Sequence, residues 1–257
     1  MPNAPSQRLH FLPEASHLGG VTVAQTAIVL PRPHSANRLA TPIYRIGSAV
    51  AIVLGPLAVF AVRATVPSVS PGSGRAAVAA SATSSGAQTF ELIAGVVATV
   101  FLPIGVAALA RLGLRGAPLL AVIGGALALV GWSMVPALVA QDVLTYELSR
   151  SPLSIAQAGA VWDAFNNDGA FTAMTLVFVI GHELGTLLLA AALWRASVLP
   201  GWAAGLMMVG MLLHPVAVAS GERLFDLVGF PLLLIGLVMA ARRAFLSAPL
   251  EASSTLS

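Results

Sequence analysis

Six apolar runs, each about long enough to cross a bilayer, dominate this chain. They restrict it to the two architectures that satisfy every backbone hydrogen bond in lipid, the helix and the closed barrel. The runs cover about Ile46–Val66, Phe90–Leu112, Pro118–Ala140, Ala170–Trp194, Gly201–Ala219 and Leu224–Phe245. They are continuous rather than alternating, and each is about twice the length a barrel strand needs, so helices are expected. Composition agrees. The chain is 57% hydrophobic and 9% charged, where soluble domains carry about 25% charged residues to keep their surfaces dissolved. The expected fold is all-α: a polytopic transmembrane bundle of about six spans, with the lipid bilayer as its first partner.

The flanks are different in character. Residues 1–43 contain Arg8, Arg32 and Arg38, several prolines, and His10, His17 and His34 without metal-ligand spacing. The apolar stretch Val21–Leu30 inside them is too short to span, and lacks the features of a signal peptide. This region reads as a disordered cytoplasmic tail, residues 44–246 as the six-helix domain, and 247–257 as a flexible C-terminal tail. Every basic residue is Arg. With the N-terminus inside, nine arginines fall on the cytoplasmic side: Arg8, Arg32, Arg38, Arg45, Arg111, Arg115, Arg195, Arg242 and Arg243. Only Arg63, Arg75, Arg150 and Arg223 fall outside. The positive-inside rule therefore places both ends in the cytoplasm. No arginines cluster with aromatics, which argues against a nucleic-acid partner. The absence of Cys excludes disulfides, thiol chemistry and cysteine-ligated metals.

Two external connections are long. Thr65–Gln88 is rich in Ser, Gly, Pro and Ala and reads as a flexible connector. Its Pro71-Gly72-Ser73-Gly74-Arg75 lacks the strand, the Lys-Ser/Thr and the glycine spacing of a phosphate-binding loop. In Gln141–Gly169, the stretch Ile155–Phe165 sets Val161, Trp162 and Phe165 on roughly one side at helical spacing. A short interfacial helix with Trp162 at headgroup level is expected there; a lid over an outward-facing pocket is the alternative.

Ionisable groups inside a bilayer are costly, and each is a functional candidate. Four lie within the runs: His182 and Glu183 in the fourth, His214 in the fifth, Asp226 in the sixth. His182 and His214 are equidistant from the turn near Val198, and His214 and Asp226 from the turn near Ser220. These three therefore share one layer, about 18–24 Å from the cytoplasmic boundary at 1.5 Å per residue. Gly181-His182-Glu183-Leu184-Gly185 is a GxxxG unit suited to close helix approach. On a helix His182 and Glu183 point about 100° apart, so they are not expected to face one neighbour. Glu91, Asp142, Asp168 and Glu222 fall near the outer ends of their helices and would form an acidic vestibule above the layer. Imidazoles and carboxylates that exchange protons suit a proton- or solute-handling role; interhelical hydrogen bonding that holds a structural or interaction bundle together is the competing role. A zinc-protease motif fails because Thr186 stands where a second His is needed. An intramembrane metal-dependent hydrolase using His182, His214 and Asp226 stays as the alternative. No catalytic residue, resident metal or cofactor is assigned from the sequence, and a homo-oligomer or another membrane partner is left open.

The stretch Gly181-His182-Glu183-Leu184-Gly185, with Ala192-Leu193-Trp194-Arg195 and Pro200-Gly201-Trp202, resembles a group of small six-span bacterial membrane proteins. The resemblance covers the fourth to sixth runs. It implies a six-helix fold in a cytoplasmic membrane and carries no site residue with it.

Overall fold

Apolar runs become helices here because each backbone amide finds its partner one turn away, and the ends are set by local chemistry. A computed structural model describes residues 37–66 and 72–246. Among the described residues all regular structure is helical: α1 (Asn37–Thr65), α2 (Gly74–Ala82), α3 (Ser85–Gly113), α4 (Pro118–Trp132), α5 (Val135–Arg150), α6 (Ile155–Asn166), α7 (Gly169–Arg195), α8 (Gly201–Ser220) and α9 (Arg223–Leu246). Six segments are long and apolar enough to cross a membrane: α1 from Pro42, α3, α4 with α5, α7, α8 and α9. The expected multi-pass bundle is what forms.

Four expectations are corrected by the local structure. The third run does not end near Ala140; it breaks at Ser133–Met134 and continues as α5 to Arg150. Pro136 explains the break, since its ring clashes with the carbonyl one turn back, at Trp132. The interrupted turn is closed by Met134 N–H donating to the Gly131 carbonyl at 3.0 Å and Ser133 Oγ donating to Leu129 at 2.6 Å. The connector after α1 is not simply flexible: Ser73 caps α2 by accepting from Ala76 N–H, and Gly74 opens the helix. Trp162 is not an outward-facing anchor. It is buried in α6, and its indole N–H donates to Thr145 Oγ1 at 2.8 Å. Finally, α1 begins at Asn37, inside the stretch assigned to the tail; the rest of that tail and the C-terminal one lie outside the described residues.

Packing follows residue size. Large apolar side chains such as Ile93, Val100, Leu119, Val122, Leu176 and Leu184 point outward, while small ones line the contacts. In water this would be an aggregation-prone surface; in lipid it is solvated by acyl chains, and association is left to close packing. α4 lies against α7, α1 against α3 and α9, and α8 against α9. The GxxxG glycines act as expected, with α4 as their partner. A Cβ on Gly181 would meet Gly131 Cα at 2.7 Å, and one on Gly185 would meet the Ala128 nitrogen at 2.2 Å.

One end of the bundle is capped. The end bearing Thr65, Ser85, Arg150, Gly169 and Arg223 carries α2 and α6, which pack on each other and on α5 through Ala77, Val78, Leu148, Ala158 and Trp162. Their backbones nearly touch, since a Cβ on Gly74 would fall 2.2 Å from the Gly159 carbonyl oxygen. Gly74 N–H donates to Asp163 Oδ1 at 2.7 Å, and a Ser154–Gln157 capping box starts α6.

Candidate functional site beneath the cap

The ionisable layer expected from hairpin symmetry becomes contact in three dimensions. His214 of α8 reaches Asp226 of α9, Nδ1 to Oδ1 at 2.8 Å. The other Asp226 oxygen accepts from Arg63 Nε of α1 at 2.7 Å. Asp226 is fully buried and its partners are mostly so. His182 of α7 lies beside this group, with its ring 5.8 Å from that of His214 in an edge-on arrangement. Phe178 stacks on His182 at 4.1 Å, and Trp132 lies 4.9 Å from it. His182 Nδ1 is 2.6 Å from the Phe178 carbonyl oxygen. Because a carbonyl only accepts, Nδ1 carries the proton.

Glu183 departs from expectation. Its Oε1 lies 3.3 Å from His182 Nε2, despite the angle between their Cα–Cβ directions. His182, Glu183 and His214 each offer one ligand atom within 4.8 Å of the others. Asp226 does not join them, because Arg63 and His214 occupy its two oxygens. The metal set of His182, His214 and Asp226 is therefore not the one the fold assembles.

These groups line one cavity of about 270 Å³, roofed by Ala77 and Ala80 of α2 and Trp162 of α6. Arg63, His182 and His214 share it with Gln88, Glu91 and Asp142. The acidic vestibule is thus half of what the sequence suggests. Glu91 and Asp142 face the cavity; Asp168 instead caps α7, accepting from Ala170 and Phe171 N–H groups, and Glu222 is exposed and is not among the lining residues. Asp142 faces the cavity because α5 continues past the expected end of its run.

Several lining groups lack an internal partner. Arg63 Nη2, Gln88 Oε1, Glu91 Oε2 and His182 Nε2 are buried without a hydrogen bond. Buried polar atoms are nearly always paired, so such a convergence marks a place where a solute or water would be held. Toward the other end the lining turns apolar: a second, smaller cavity sharing Trp132 and Phe230 is walled by Ile52, Leu102, Leu189 and Leu233. Trp132 and Phe230 therefore stand where the polar lining gives way to the apolar one.

Arg63 is the residue the sequence reading missed. The positive-inside count treats it as an external charge, although it lies inside the first apolar run, where the cost of burial marks it out. Trp132 and Gln88 carried no such signal. No protein-family model matches the chain, and neither curated proteins nor solved structures provide a relative.

Proposed function

We propose that this chain is a multi-pass protein of a cytoplasmic membrane that binds a small cation-bearing solute in the capped cavity, protons replacing the solute on release. The observation that carries this reading is the meeting of Glu91 and Asp142 with Trp132, Trp162 and Phe178 in one cavity lining. Two carboxyls in a place of low polarity call for positive charge beside them, and the Arg63 guanidinium that shares the lining is already engaged at Nε by Asp226. Aromatic faces add about 0.5–2 kcal/mol of cation–π attraction to an ammonium group. Asp226 is already matched by Arg63 and His214, which leaves Glu91 and Asp142 to face the solute. The volume, near 270 Å³, suits an amine of a few carbons.

The arginine distribution supports an orientation with both ends in the cytoplasm, which would turn the capped end outward. The likeness of α7 to α9 to the small six-span bacterial group supports the same membrane. The remaining polar residues would then serve as interhelical links.

Tryptophan fluorescence tests the reading. In purified protein with the exposed Trp194 and Trp202 replaced by Phe, protonated propylamine and tetramethylammonium should each alter the emission saturably. Glu91→Gln with Asp142→Asn should weaken that binding by about tenfold or more, roughly 1.4 kcal/mol or above. No saturable response to either probe, or equal affinity in the double variant, would overturn the proposal.

A further inference from the structure

We infer that His182, Glu183 and His214 form a binding site for one transition-metal ion of the zinc class, at the end of the cavity bordered by Trp132 and Phe230. The two imidazoles are already prepared for it. Metal-bound histidines almost always donate their second ring N–H to a carbonyl or carboxylate, which fixes the free nitrogen toward the ion. His182 Nδ1 is held by the Phe178 carbonyl at 2.6 Å, and His214 Nδ1 by the Asp226 carboxylate at 2.8 Å. In the neutral rings this leaves both Nε2 atoms as lone pairs. His182 Nε2 is buried with no hydrogen-bond partner, and so is Glu183 Oε2.

The spacing is close to what an ion requires. Ligands at about 2.0–2.2 Å from a tetrahedral centre lie about 3.4 Å from one another. His182 Nε2 and Glu183 Oε1 are 3.3 Å apart, and all three ligand atoms fall within 4.8 Å of one another. Small side-chain rotations close the remaining gap. Two imidazoles and one carboxylate select zinc, cobalt, nickel or iron over magnesium and calcium, which prefer all-oxygen sites. Three protein ligands leave a fourth position, and His182 and His214 both border the cavity, so that position faces it. Asp226 becomes a positioning residue, with Arg63 holding its other oxygen.

This inference goes beyond the solute reading and does not depend on it. Full-length protein, stripped with chelator, is titrated with Co²⁺ and followed by visible absorption. One equivalent should produce the intense bands of a four-coordinate site, and Zn²⁺ should displace them. His182→Gln and His214→Gln should each abolish the bands, and Asp226→Asn should weaken affinity about 10–100-fold. Replacing His10, His17 and His34 together should change nothing. Glu91→Gln should leave the cobalt spectrum intact while weakening amine binding, so the two proposals fail separately. Absence of the bands in the unaltered protein, their persistence in folded His182→Gln or His214→Gln, or their loss with the three tail histidines would each overturn the inference. Should those two variants not fold, Glu183→Gln with an unchanged spectrum and affinity would do the same.

Discussion

At Asp226 a fully buried carboxylate accepts from Arg63 on one oxygen and meets His214 on the other, tying α9 to α1 and α8. Removing one member of a buried pair strands its partner, which costs about 3–5 kcal/mol, whereas replacing both with apolar residues is often neutral. Asp226→Ala should therefore destabilise the folded protein by about that amount, and Arg63→Met combined with Asp226→Leu should cost much less than Asp226→Ala alone. Unfolding titrations in mixed micelles measure both; equal losses would show that the pair carries no coupling. The positions of His182, His214 and Asp226 at one depth were legible in the sequence, because hairpin symmetry fixes depth. Their contacts were not, because facing direction depends on how each helix is rotated, and Arg63 lies 163 residues from its partner.

Among the elements, α4 and α7 depend on the absence of side chains between them. Gly185→Val would drive a Cβ to within 2.2 Å of the Ala128 nitrogen, a backbone atom with no room to yield. Its cost should reach at least the roughly 1–3 kcal/mol typical of overpacking. Gly205 in α8 has nothing within 4 Å of its Cβ position, so Gly205→Ala should instead stabilise by about 0.5–1 kcal/mol. Thermal unfolding of the two variants should move in opposite directions. The cap makes a different prediction. Trp162 closes the cavity and is held by Thr145. The chain has no Cys, so Ala98→Cys places a single thiol in the cavity lining. Its labelling by a membrane-impermeant reagent should accelerate when Trp162→Ala is added; unchanged labelling would mean that α6 is not a lid. The helix α6 was visible from its spacing, but the burial of its Trp162 was not. An aromatic flanked by apolar residues reads alike at a membrane interface and beneath a cap, until the partner hydroxyl of Thr145 is located.

For the molecule as a whole, the proposed orientation rests on nine arginines against four, of which Arg63 is paired inside the bundle. Reporter fusions after Arg115 and Arg195 should be cytoplasmic, and those near Gly74 and Asp163 external; the reverse pattern would place the capped cavity on the inner side. The number of long apolar helices and most of their ends, though not the end of the third or the start of the first, could be read from residue order alone, because lipid demands a long apolar stretch with every backbone group paired within it. The glycine pattern of α7 likewise announced a close contact. Which helix would fill it, that α5 would carry Asp142 past the end of its run, and that α2 and α6 would fold over the result were decided by tertiary packing. The physical reason is the solvent. Lipid sorts whole segments by hydropathy, a property of local sequence. It does little to distinguish one apolar face from another, so the neighbours of His182, Glu183 and His214 follow from steric fit and buried charge pairing across helices distant in the chain.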